Sequence, residues 1–210
     1  DEKHHDGRRY RHAEPLHSGT EPMTRKAVFL DRDGVINEDH GYVYRKEDFE
    51  FVDGIFEACQ RFQHQGYLLI VVTNQSGIAR GMYTEAQFQE VTDWMVERFR
   101  EQGVTITKVY HCPHHPDFGP ADERNCDCRK PKPGMILRGI EEFELVPKLC
   151  LMVGDKVSDM TAAESADLGT GILLNNQVQK LSEGNRYCRI KNLKQLLTLP
   201  EGSINCPEEY

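Results

Sequence analysis

Asp31 and Asp33 stand one residue apart in Asp31-Arg32-Asp33-Gly34, directly after the apolar run Ala27–Leu30. Two carboxylates at that spacing after a buried strand point the same way if the strand continues, and Gly34 lets the chain turn sharply behind them. Alone, such a D-x-D-G is equally an acidic loop. Thr73-Asn74-Gln75-Ser76-Gly77 follows a second apolar run, Tyr67–Val72. A hydroxyl and several backbone N–H groups in a tight turn can hold phosphoryl oxygens, although Thr and Asn also cap helices. Gly154-Asp155-Lys156 ends a further run, with Asp159 four residues beyond Asp155. A carboxylate leaving a strand suits a hard cation such as magnesium, or else caps the next helix. Arg129-Lys130-Pro131 precedes the Gly134 segment and offers fixed positive charge, or a solvated basic pair. A separate cluster, Cys112-Pro113-His114 and Cys126-Asp127-Cys128, offers three thiolates and an imidazole. That set suits structural, tetrahedral zinc with no open position, with His111 and His115 as competing ligands.

These residues need a scaffold, and the apolar pattern supplies one. Ala27–Leu30, Tyr67–Val72, Val104–Tyr110, Lys148–Val153 and Gly171–Leu174 read as strands. Between them, Gly54–Gln65, Thr84–Arg100, Gly134–Phe143 and Ser158–Asp167 carry helical spacing, and Thr84 with a Glu-rich first turn marks an N-terminus. A last short strand and helix fall within Tyr187–Leu197. Strands alternating with helices predict an α/β fold, a Rossmann-like three-layer sandwich around a central parallel sheet. Such sheets bind ligands beyond the carboxyl ends of their strands, and the acids and Thr73 follow strands one, two and four.

Taken together, an acid pair after strand one, Thr after strand two, Lys before a helix and acid after strand four occur in this order. The combination resembles the haloacid dehalogenase superfamily of phosphohydrolases, over residues 26 to about 175. The resemblance implies that Asp31 is a nucleophile forming an acyl phosphate and Asp33 a general acid and base. It implies that Thr73 and Lys130 hold the transferring phosphoryl group. Magnesium would lie on Asp31, the Asp33 backbone carbonyl and Asp155, with Asp159 outside its ligand shell. It also favours His114 with Cys112, Cys126 and Cys128 as a zinc site, since this C-x-H spacing matches the zinc loop of one branch.

The span between the first two motifs leaves no room for a large cap domain. Within the zinc-loop branch, Asp39-His40-Gly41-Tyr42-Val43 and Asn74–Gly81 look like members acting on a sugar bisphosphate. Members acting on histidinol phosphate, the alternative, lack the His-Gly-Tyr segment and differ after Asn-Gln. The similarity implies a small-molecule sugar bisphosphate contacted by Asp39, His40, Gly41, Tyr42, Asn74, Gln75, Ser76 and Arg129, with Arg129 on its distal part. A zinc-stabilised interaction module without catalysis is the other class. The intact acids and Lys130 count against it.

The chain has 210 residues, 38% of them hydrophobic, which is enough for one core. Residues 1–22 are polar, rich in His and Arg, and read as a disordered arm or a cloning remnant before Met23. Residues 23–200 read as one domain holding the zinc loop at 112–128, and 201–210 as a tail. The net charge of -8 argues against a nucleic-acid partner. No apolar run approaches the roughly 20 residues of a membrane span, so a soluble protein is expected. Nothing in the sequence demands more than a monomer, and the resemblance implies the bacterial cytoplasm. Cys59 and Cys150 lie among apolar residues and read as buried thiols, and Cys206 as a free one.

Overall fold

The computed structural model describes residues 24–174 and 187–198. The expected arm at 1–22, Cys206 and the tail at 201–210 lie outside the described residues. Six strands form one parallel sheet: β1 (Lys26–Leu30), β2 (Tyr67–Asn74), β3 (Ile106–Cys112), β4 (Leu151–Gly154), β5 (Thr170–Leu174) and β6 (Tyr187–Ile190). Their order across the sheet is β3-β2-β1-β4-β5-β6, so β1 lies between β2 and β4. The direction of winding changes at β1, and the carboxyl ends of β1, β2 and β4 share one edge. That edge is where the acids and Thr73 stand.

Alternation along β1 explains the layers. Val28 and Leu30 face one apolar core, which α1 (Ile55–His64) and α2 (Glu85–Glu101) close with Ile55, Phe62, Met95 and Phe99. Ala27 and Phe29 face the other, closed by Met135 and Ile136 of α3 (Gly134–Glu142) and Met160 of α4 (Val157–Ser165). A strand with both faces buried must be apolar throughout, which is why β1 and β2 are legible as unbroken runs. Thr84 caps α2 with a capping box to Gln87, as its position suggested. Cys59 and Cys150 are buried thiols.

Three boundaries differ from expectation. Residues 148–150 are not strand: Pro147–Leu149 is a 3-10 turn, since Pro147 pre-sets a helical φ, and β4 starts at Leu151. β3 runs later than expected, to Cys112, so a zinc-ligand candidate sits on the sheet itself. The final helix is a 3-10 helix over Leu193–Thr198. No separate domain is inserted among the described residues, and none of their helices is long and apolar enough to cross a membrane.

Two glycines bring the edge loops together. Gly34 has φ +89°, a conformation that L side chains rarely adopt, and a Cβ on it would lie 2.3 Å from Asp155 Oδ2. At Gly154 a Cβ would lie 2.3 Å from Asp159 Cβ. Gly154→Ala should therefore cost about 1–3 kcal/mol by overpacking. Urea unfolding measures it, and an unchanged midpoint would contradict this packing.

Candidate active site

Lys130 occupies the centre of the site. It arrives from the loop before α3 and is almost completely buried. Its Nζ lies 2.9 Å from Asp31 Oδ1 and 2.6 Å from Asp159 Oδ1, and donates to Val72 O at 2.8 Å. Burial alone would lower the lysine pKa, but the carboxylates of Asp159 and Asp31 raise it above its ordinary value. A buried ammonium with three acceptors stays charged. Its main chain is held by a reciprocal pair: Lys130 N–H donates to Asn74 Oδ1 and Asn74 Nδ2 donates to Lys130 O, both at 3.0 Å. The last residue of β2 thus fixes the lysine to the sheet edge.

One lysine does not balance the acids around it. Asp31, Asp155 and Asp159 each offer a carboxylate oxygen within 4.8 Å of the others. Desolvation raises Asp31 from 3.8 to about 7; Lys130 opposes this, and Asp159 and Asp155 add to it. Desolvation likewise raises Asp155 to about 6, against the pull of Lys156. Asp155 Oδ1 is buried and has no hydrogen-bond partner among the described residues. An orphaned buried carboxylate oxygen beside Asp31 fits a hard dication such as magnesium, which takes oxygen ligands. The oxygens of Asp159 are otherwise engaged: Oδ1 pairs with Lys130 and Oδ2 accepts Lys156 N–H at 3.0 Å.

Asp33 stands on the open side. Its Oδ1 accepts from Arg32 Nη2 at 2.8 Å and Asn37 Nδ2 at 3.0 Å, and its Oδ2 from Gln75 Nε2 at 2.9 Å. The Gln75 amide also donates to Thr73 Oγ1 at 2.8 Å and accepts from Tyr83 OH at 2.5 Å. Gln75 is buried, and its side chain joins Asp33, Thr73 and Tyr83 in one hydrogen-bonded group. Arg32, Asn37 and Tyr83 are support residues that sequence reasoning did not find. Arg32 adjoins Asp33 and Asn37 follows four residues later, so both stood close in sequence, whereas Tyr83 lies far along the chain.

The loop at 38–43 lies over this edge. Asp39 Oδ2 meets Lys156 Nζ at 3.0 Å, and Lys156 is itself 3.6 Å from Asp155 Oδ2. Burial opposes it, but the Lys156 hydrogen bond lowers the Asp39 pKa below its usual value. His40 is exposed and pairs with Glu50 at 3.2 Å. Gly41 and Tyr42 turn the loop through positive φ, and the half-exposed Tyr42 ring packs near Gly77. Ser76 is half-buried in the turn after β2, and Arg129, also half-buried, donates to His114 O at 3.2 Å.

The cysteine cluster is assembled around one point. Cys112, His114, Cys126 and Cys128 bring one donor atom each within 4.8 Å of the others. Cys112 Sγ and Cys126 Sγ are 3.6 Å apart, close to the about 3.8 Å edge that four 2.3 Å bonds to tetrahedral zinc imply. Cys128 Sγ is 3.3 Å from His114 Nδ1. The competing histidines are used elsewhere, His111 on Glu85 at 2.5 Å and His115 on Arg80 at 2.8 Å. The donor set is that of a closed structural zinc site, and Arg129 and Lys130 follow Cys128 directly.

Fold and site together define a phosphohydrolase of the haloacid dehalogenase type. Residues 23–167 match the family model for haloacid dehalogenase-like hydrolases, and the chain belongs to that family. The D-glycero-alpha-D-manno-heptose-1,7-bisphosphate 7-phosphatase of Campylobacter jejuni is 50% identical over 175 residues, 83% of this chain and 95% of the relative. The D-glycero-beta-D-manno-heptose-1,7-bisphosphate 7-phosphatase of Vibrio cholerae is 52% identical over 153 residues, 72% of this chain and 82% of the relative. Among solved structures, D,D-heptose 1,7-bisphosphate phosphatase from B. bronchiseptica, complexed with magnesium and phosphate, superposes with TM-score 0.70 at 30% identity. That match covers 83% of this chain and 98% of the other. Family membership brings magnesium dependence with it, and the acids at the sheet edge fit that ion.

The raised carboxyls set a pH dependence. Both are raised in the folded state, so they contribute stability below their unfolded values near 3.8, and it is lost as pH rises through about 6 and about 7. Melting of the metal-free protein should fall across this window. Magnesium should restore more at about pH 8 than at about pH 5, where protons compete with it. Asp31→Asn should flatten the dependence, and equal slopes in the two proteins would contradict it. Purified protein should also carry about one zinc per chain by elemental analysis. Cys128→Ala should lose the zinc and most activity, and full activity without zinc would exclude a structural role.

Proposed function

We propose that this chain removes the 7-phosphate of D-glycero-D-manno-heptose 1,7-bisphosphate through a covalent phosphate on Asp31. The reading rests on one observation above the others. A buried lysine is shared between two acids beside a third acid with an unpartnered oxygen, at the carboxyl edge of the sheet. A binding module has no use for that expensive cluster. The relatives' activity supports the substrate, since the chain matches the Campylobacter phosphatase over 95% of its length.

The chemistry runs in two displacements. An Asp31 oxygen attacks phosphorus in line, the bond to the sugar oxygen breaks, and Asp33 gives its proton to the departing alkoxide. Asp33 then takes a proton from water, whose oxygen attacks phosphorus and breaks the bond to Asp31, releasing phosphate. A carboxylate and a phosphate dianion repel, so positive charge must meet them. Lys130 supplies one part and Thr73 a hydrogen bond. Asp31, Asp155 and the Asp33 carbonyl would hold magnesium, which would supply electrophilic polarisation of the phosphoryl group. Asp39–Tyr42, Asn74, Ser76 and Arg129 contact the sugar and its second phosphate, for which an arginine fork is suited. The heptose 1-phosphate product belongs to nucleotide-activated heptose synthesis in a bacterial cytoplasm.

The test compares the heptose bisphosphate with histidinol phosphate on the magnesium-loaded protein. The bisphosphate should have the higher kcat/KM by at least about 10²-fold, the scale of a missing charged recognition element. Asp31→Asn should lose nearly all turnover while melting as a folded protein. Turnover surviving in Asp31→Asn, or a preference for histidinol phosphate, would overturn the respective half of this reading.

A further inference from the structure

Arg32, between the two acids, is only 1% exposed and heads the fully buried side chains by volume. A buried guanidinium is costly unless its donors are satisfied, and an apolar side chain of similar volume would often serve the core as well. The company it keeps is specific. Nη2 donates to Asp33 Oδ1 at 2.8 Å and to Val43 O at 2.6 Å, with Nε 3.3 Å from the same Asp33 oxygen. Phe49 and Phe88 flank the guanidinium at 6.0 and 5.8 Å, closing it from solvent. Nη1 has no partner among the described residues, so burial serves the two bonds rather than full satisfaction. Val43 is the residue after Tyr42, at the end of the loop that lies over the site.

We infer that Arg32 is a positioning residue that aims the Asp33 carboxyl and ties its aim to the seating of loop 39–43. One nitrogen serves both: the same Nη2 that holds Asp33 is held by the loop's carbonyl. Displacing the loop moves the arginine, and moving the arginine strips its two nitrogens from Asp33 Oδ1, leaving that oxygen on Asn37 Nδ2 alone. The planar fork fixes an angle as well as a charge, which a lysine ammonium does not. Substrate that seats the loop thereby aligns the group that protonates its own leaving oxygen. The inference rests on the two-step phosphatase reading above.

The experiment uses the full chain with magnesium and two esters. One is the alkyl phosphate it turns over fastest, whose leaving alkoxide needs a proton. The other is p-nitrophenyl phosphate, whose phenolate leaves without one. Rapid-quench measurement follows formation of the covalent phosphoenzyme, with melting temperature as the control for folding. In Arg32→Met this step should slow by about 10²-fold for the alkyl ester and by less than about 10-fold for the aryl ester. Arg32→Lys keeps the cation without the fork and should fall between Arg32→Met and wild type. Should Arg32→Met fail to fold, Arg32→Lys reads the same ratio. Equal losses on both esters in a variant that melts as wild type, or a wild-type ratio in Arg32→Lys, would overturn the role assigned to Arg32. Wild-type protein that forms no phosphoenzyme with either ester would instead defeat the phosphatase reading.

Discussion

The buried ion pairs of Lys130 with Asp31 and Asp159 are the constraint on which the site turns. Buried like charges repel, and a single ammonium cannot neutralise Asp31, Asp155 and Asp159 together. The residual negative charge is stored at the point where a dication and a phosphoryl group meet. The fold tolerates this because the surrounding parts are tied down. Val72 O and the Asn74 amide hold the lysine, and the N-terminus of α4 holds Asp159.

A second layer decides how the first one is aimed. Tyr83, Gln75, Thr73 and Asp33 form a continuous chain of hydrogen bonds, and Arg32 extends it to the loop over the site. Each member is fixed by its neighbour rather than by solvent. Catalytic groups on loop ends gain precision this way, since rotamers locked by hydrogen bonds lose little order during a reaction.

The sheet and most of the charged centre are legible in the chain itself. Parallel strands buried on both faces must be apolar runs, and the functional side chains appear as abrupt polar residues where β1, β2 and β4 end. What escaped reading is what depends on distant partners. Arg32 reads as a spacer between two acids, because local pattern carries no sign that Val43 and two aromatic rings will enclose it. Gln75 reads as a substrate contact, and nothing local shows that its amide will also bond Tyr83, Thr73 and Asp33. The start of β4 misled for a local reason: Leu149 and Cys150 are apolar, but Pro147 winds them into a turn first. Asp159 stood four residues from Asp155 in plain view, yet its pairing with Lys130 spans two segments and is visible only when folded.

The zinc loop leaves and rejoins the structure at nearly one place. Gln75 N–H donates to Cys112 O at 2.7 Å on the way out, and Asn74 clasps Lys130 on the way back. Between them, residues 116–125 are mostly exposed. With both stems anchored on adjacent residues where β2 ends, that arc behaves as a cassette. Evolution, or an engineer, can lengthen, shorten or rewrite it to recognise other molecules while the machinery beneath keeps its shape.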